Sequence, residues 1–243
     1  MLADELNPGG LTARTAHPLD LPLFDPLHEI DWEDMKALEA VGVPILKTLA
    51  RRPALIAAAM EHVLGDAQLF ARCETDEFFD RVVLFDGRDR YFSVRLQSLV
   101  QCEEDRPHNH RASLCTMILS GGYEHHLYRS PLSWADDPDM GAMAAAELTR
   151  IMVRDEKPGS TYALHHSAFH SASPSGLHFS LVLRGPSRRK RLLFFDRIGG
   201  EGAFHFHLGS KDQPLEKEEA RHMSRATMLD VMAHFAALPP LAV

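Results

Sequence analysis

Pro107-His108-Asn109-His110-Arg111-Ala112-Ser113-Leu114-Cys115-Thr116-Met117-Ile118-Leu119-Ser120-Gly121-Gly122-Tyr123 is the stretch on which the reading of this chain turns. An extended backbone alternates its side chains. His108 and His110 therefore project to one face, at a pitch that lets two imidazoles share an ion. Behind them, Leu114–Leu119, the Ser120-Gly121-Gly122 turn and Tyr123–Tyr128 read as two tightly joined strands. On this pattern alone, a solvated loop pair beside Glu103, Glu104 and Asp105 stays open for the two histidines.

Outward from this stretch the same period continues. Short β-rich runs occur at Phe79–Phe85 and Tyr91–Val100, split by the turn Asp86-Gly87-Arg88-Asp89. Others follow at Leu148–Val153, Ser160–Leu164, Ala168–Ser171, Leu177–Leu183, Arg191–Phe195 and Ala203–Leu208. Many short strands with turn signals between them predict an all-β sandwich or barrel. Pro131–Gly141 reads as a longer loop. Residues 1–30 are Pro-rich and irregular, an arm that wraps the body or frays. Residues 31–75 read as helical, with Asp31 as an N-cap, Pro44 and Pro53 as helix starts and Gly65 as a stop. The tail turns helical again. Ser210 or Asp212 would cap it, Pro214 would begin it, and Leu215, Met223, Met228, Leu229, Met232 and Phe235 form its apolar stripe. The expected organisation is one domain over 1–243: irregular arm and helices to 75, barrel over 76–210, C-terminal helix over 211–243.

Composition bounds the function. Of 243 residues, 45% are hydrophobic and 25% charged, which excludes disordered and disulfide-scaffold classes. The net charge of -8 argues against a nucleic-acid or anionic-membrane partner. Three cysteines (Cys73, Cys102, Cys115) form no disulfide framework and suit a reducing compartment. Neither a signal peptide nor a membrane-spanning run is visible, so the expectation is a cytoplasmic protein. Ten of the 15 histidines fall between residues 108 and 207.

A second glycine-led strand, Pro158-Gly159-Ser160-Thr161-Tyr162, is followed eight residues on by Phe169-His170-Ser171. His-x-His, a strand, a Gly turn and a distant Pro-Gly strand closing on one more His resemble the cupin family. The resemblance covers roughly residues 78–195. It implies a small cupin-type β-barrel (jelly roll) with flanking helices and three histidines converging inside it. Where most cupins carry a Glu after the second His, this chain has Leu114 and Cys115. Cysteine there resembles the thiol-dioxygenase branch, cysteine dioxygenase and its mercaptopropionate relatives. That branch implies further roles: Cys115 beside the metal, Arg81 of Phe79-Asp80-Arg81 on the substrate carboxylate, and Tyr162 at the site. The strand Ser180-Leu181-Val182-Leu183-Arg184 departs from the family's Ser-x-His-x-Tyr, with Val182 for the His and Arg184 for the Tyr. Arg184 then becomes a candidate for the acid end of a different substrate, with Arg95 and Arg111 as rivals.

The metal set is expected to be His108, His110 and His170. His165, His166 and His178 compete for the third place, because on an unbroken strand Tyr162, His166 and His170 share a face. In the pair His125-His126, parity with Tyr128 turns His126 inward, and an ordinary hydrogen-bonded strand histidine is the simpler reading of both. His205-x-His207 is a second same-face pair with no later partner. Cys115 has a simpler reading too, a small apolar core residue. Imidazoles suit iron, zinc, copper and nickel alike, and it is the resemblance that favours Fe(II). Three functions follow: oxidation of a small thiol acid with O2, a cupin oxygenase on a non-thiol substrate, or a non-catalytic, metal-dependent small-ligand binder.

Overall fold

The computed structural model describes residues 16–76, 79–87, 91–99, 106–130, 148–198, 201–208 and 221–239. The Met1–Gly10 segment, the Pro131–Gly141 loop, the acidic run 103–105 and the Ser210, Asp212, Pro214 and Leu215 signals lie outside them. Among the described residues, no helix is long and apolar enough to cross a membrane.

A 3-10 turn at Pro22–His28 buries Phe24 and Leu27. Helix α1 (Met35–Ala50) follows. Its N-cap is Asp34, not Asp31, and the Asp34 carboxylate accepts from the backbone N–H of Lys36 and Ala37 at 2.8 and 3.2 Å. Asp31 instead closes the preceding turn onto Glu33 N–H. Pro44 starts no helix and lies inside α1. The buried stripe Leu38, Gly42, Ile45, Leu46 and Leu49 continues across it at helical spacing, and that packing outweighs an interior proline's cost of about 3 kcal/mol. Helix α2 (Pro53–Gly65) does begin at its proline, and the short α3 (Ala67–Phe70) follows. Near the C-terminus α4 (Arg225–Ala236) is capped by Ser224.

Eleven strands are described: β1 (Glu74–Thr75), β2 (Phe79–Asp86), β3 (Ser93–Leu99), β4 (Leu114–Ser120), β5 (Tyr123–Arg129), β6 (Thr149–Glu156), β7 (Thr161–Leu164), β8 (Phe169–Pro174), β9 (His178–Arg184), β10 (Arg191–Ile198) and β11 (Glu201–Leu208). Their antiparallel pairing gives a six-stranded sheet, β1-β2-β3-β9-β4-β7, a three-stranded sheet, β6-β5-β8, and the hairpin β10-β11. The β4–β5 turn needs Gly121, whose φ of +69° is a left-handed conformation costly for side chains with a Cβ.

Alternation divides the six-stranded sheet into two faces. Leu96, Cys115, Met117, Leu119, Phe179, Leu181 and Leu183 pack with α1, α2 and α4 into the main core. The opposite face turns toward the three-stranded sheet, and Leu114, Ile118, Tyr162, Leu164 and Val182 meet Tyr123 and Leu127 of β5 across the gap. The architecture is mainly β, a six-stranded and a three-stranded antiparallel sheet facing one another, with helices flanking the sheets.

Candidate metal centre

The segment carrying His108 and His110 is a strap rather than a full strand. His108 N–H donates to His170 O (2.8 Å) and His170 N–H returns to His108 O (2.9 Å). Phe195 N–H donates to Pro107 O, Asn109 N–H to Leu193 O, and Leu193 N–H to Asn109 Oδ1 (2.7 Å). The strap is thereby sewn between β8 and β10, and its alternation turns both imidazoles toward His170. The possible metal-ligating nitrogens of His108, His110 and His170 lie within 4.8 Å of one another, and the Nε2 atoms of His110 and His170 are 2.7 Å apart.

The chemistry of this donor set fits a divalent metal. His108 Nδ1 lies 3.0 Å from the Arg106 carbonyl, which can only accept, so the proton sits on Nδ1 and Nε2 keeps its lone pair. Burial, then the neighbouring His108 and the positive Arg81, Arg184 and Arg95, hold the His110 pKa well below the ordinary imidazole range. Burial and the adjacent His108, His110 and His125 do the same for His170. Neutral imidazoles are the form that binds metal.

The competitors for the third place lie elsewhere. The chain turns between β7 and β8, so the unbroken-strand alternation that would have aligned His166 with His170 does not hold. His165 Nε2 and His166 Nε2 both point at Glu33 Oε2, at 3.0 and 2.7 Å. These two with Glu33 form a second close cluster. His165 Nδ1 accepts from Ser167 N–H at 3.2 Å, which puts the His165 proton on Nε2, where it donates to Glu33. This cluster ties the N-terminal segment to the β7–β8 turn. His178 is buried at the start of β9 with its ring edge-on to Tyr123, 4.8 Å between centroids.

Parity with Tyr128 chose the wrong member of the His125-His126 pair. Tyr123, His125 and Leu127 share the inward face, while His126 bonds Glu124 and Tyr128 on the other. His125 is thus a neighbour of the centre that sequence reasoning passed over; the signal was its even spacing from Tyr123. Of His205-x-His207, His205 is exposed and stacks on Phe194, and the His207 side chain lies outside the described residues.

Cys115 also departs from expectation. The resemblance puts it beside the metal. The alternation of β4 instead turns it to the helix-packed face, where a Cβ on Gly42 of α1 would lie 3.1 Å from its Sγ. Burial pushes its thiol up to about 12, so it is a small apolar core residue. Cys115→Ala is accordingly expected to leave metal affinity unchanged within about twofold while lowering stability by roughly 1 kcal/mol. A metal titration with a urea melt checks both.

Arg81, Arg95 and Arg184 share the inner face, while Arg111 precedes β4 and donates to Arg189 O. Register aligns Arg81 with Gln97, Ser180 and Ile118 across β2, β3, β9 and β4. It also aligns Arg95 with Val182, Thr116 and Tyr162, and Arg184 with Leu114 and Leu164. Arg81 bonds Glu74 at 2.6 Å. Arg184 donates to Gly185 O (3.1 Å) and Ser187 Oγ (2.5 Å). Arg95 donates from Nε to Ser93 Oγ at 3.0 Å. Burial, then Arg184 and Arg81, depress the Arg95 pKa well below its usual value, and burial with Arg111 beside it brings Arg184 to about 10. Tyr162, also on this face, shares a 2.5 Å hydrogen bond with Tyr123, and burial pushes its phenol up to about 12.

No protein-family model and no curated protein matches the chain. Solved structures do resemble it at low identity. Ectoine synthase from P. lautus is 11% identical over 49% of this chain and 72% of its own, with a TM-score of 0.35. An RmlC-like cupin from Shewanella frigidimarina is 12% identical over 47% of this chain and 95% of its own, at 0.31. Hydroxypropylphosphonic acid epoxidase from S. wedmorenis is 9% identical over 44% of this chain and 51% of its own, at 0.32, so this chain spans about half its length. The mainly β class stands on the strand pairing and layering of the chain itself.

Proposed function

We propose that the protein is a mononuclear non-haem iron oxygenase that oxidises a small thiol acid to its sulfinate with dioxygen. The observation supporting this reading most is the meeting of His108, His110 and His170, three imidazoles with no carboxylate among them. When bound there, Fe(II) supplies a +2 charge undiminished by its ligands and open positions for a soft thiolate and for dioxygen. The overall reaction balances as RSH + O2 → RSO2H. The O–O bond breaks, two S–O bonds form, and four electrons pass from sulfur to oxygen.

The chain's own residues hold the substrate. Among the described residues, the Arg95 Nη atoms make no hydrogen bond, so a planar fork is available for bidentate contact with a carboxylate. Arg81 and Arg184 add positive charge on the same face, where Glu74 offsets only part of it. An anionic substrate relieves this crowding. Leu114, Ile118, Leu164 and Val182 form the apolar part of the face and exclude water.

Anaerobic loading with Fe(II), then oxygen-electrode assays over a panel of thiol acids including cysteine and 3-mercaptopropionate, tests the reading. Thiol-dependent oxygen uptake with a sulfinate product is expected. Iron-loaded protein that consumes no oxygen with any thiol acid overturns it. A second reading, an oxygenase of a non-thiol anion, is supported by Cys115 lying on the far face of β4 and by Val182 and Arg184 on the inner face. Uptake with non-thiol carboxylic acids alone would select it.

A further inference from the structure

A polar chain runs from the exposed Arg154 through the buried Glu156 and His125 to His170. Arg154 Nη2 and Nε lie 2.5 and 2.6 Å from Glu156 Oε1. The same oxygen is 3.0 Å from His125 Nδ1, and His125 Nε2 is 3.0 Å from His170 Nδ1. Glu156, His125 and His170 are 2%, 2% and 5% exposed.

The chain has one direction. A guanidinium only donates and a carboxylate only accepts. Burial would raise the Glu156 pKa, but the hydrogen bonds from His125 and Arg154 outweigh it and hold the carboxyl below its ordinary range. Glu156 Oε1 therefore accepts from both neighbours, and His125 carries its proton on Nδ1. A neutral imidazole protonated at Nδ1 has a bare Nε2, so His125 accepts from His170 Nδ1–H. That leaves His170 Nε2 bare, and this is the atom 2.7 Å from His110 Nε2. We infer that Glu156, acting through His125, selects the one tautomer of His170 whose Nε2 can bind a metal.

Glu156 on β6 and His125 on β5 are positioning residues, on strands other than the strap that brings the other ligands. The inference rests on the reading of the three histidines as a metal centre, and its test separates the two. Long-range 1H–15N NMR of metal-free protein labelled with 15N-histidine reports each tautomer directly. His125 and His170 are expected as Nδ1–H; Nε2–H at His170 overturns the inference whether or not metal binds. Co(II) affinity, measured by competition with a chromophoric chelator, gives a second readout. Glu156→Leu removes the acceptor, and affinity is expected to fall about 10- to 100-fold. Glu156→Gln keeps a carbonyl oxygen facing both Arg154 and His125, and affinity is expected within about threefold of the wild type. A Glu156→Leu protein that binds Co(II) like the wild type overturns the inference. Wild-type protein that binds no Co(II) instead removes the metal reading and leaves the tautomers to the NMR.

Discussion

His110→Ala is expected to weaken Co(II) or Fe(II) binding by more than ~100-fold. Four-ligand structural zinc sites bind with about 10–16 kcal/mol, so each ligand is worth roughly 3 kcal/mol, about two orders of magnitude in affinity. The loss should be specific, because the strap is held by backbone bonds that alanine keeps. His110 N–H donates to His166 O at 3.0 Å, and the Asn109–Leu193 pair lies beside it. His205→Ala, at an exposed position on β11, is the matched control and should leave affinity unchanged. Equal affinities for His110→Ala and wild type would place any metal outside the three-histidine cluster. The variant tests the site and not the reaction, since every function considered for this fold needs the ion.

Trp32→Ala should cost about 3–5 kcal/mol of stability, the usual range for removing a fully buried large aromatic. Trp32 is 0% exposed, and its Nε1–H donates to Leu27 O at 3.1 Å. Its ring lies directly on Gly185, where a Cβ would come within 2.3 Å of a ring carbon. The residue therefore fastens the N-terminal segment to the end of β9, one position from Glu33 and its bonds to His165 and His166. For a chain of this size the melting temperature should drop by roughly 10 °C. Leu229→Ala, at a 49% exposed position, should change stability by less than about 0.5 kcal/mol. A Trp32→Ala loss as small as that of Leu229→Ala would show that the N-terminal segment is not part of the folded core.

Strands were the most legible layer of the fold. Every β-rich run read from alternation has its counterpart among β2 to β11, with ends displaced by a few residues. The two-residue β1 had no period to reveal it, because two residues cannot alternate. Helix boundaries were less legible. Asp31 and Asp34 are chemically equal as caps, and only the packing of Leu38 and Ile45 under the sheet selects the later start. Pro44 is a helix start by local rule and a helix interior by tertiary packing.

The candidate site divides along the same line. The spacing of His108 and His110, and the Gly-led strand ending at His170, are local patterns, and alternation alone puts each imidazole on a definable side. Which face of a strand looks into the space between the sheets is not local. Cys115 and Leu114 are both apolar and adjacent, and the helices lie on the Cys115 side. His125 and His126 are adjacent and identical, and only His125 lies on the face that meets Glu156 and His170. The sequence by itself determined a mainly β chain, its order of strands and the histidines able to meet, because period and turn chemistry act between near neighbours. The tertiary structure alone decided which histidine completes the cluster, which faces the arginines share and which groups each imidazole meets, because these depend on contacts between residues tens of positions apart.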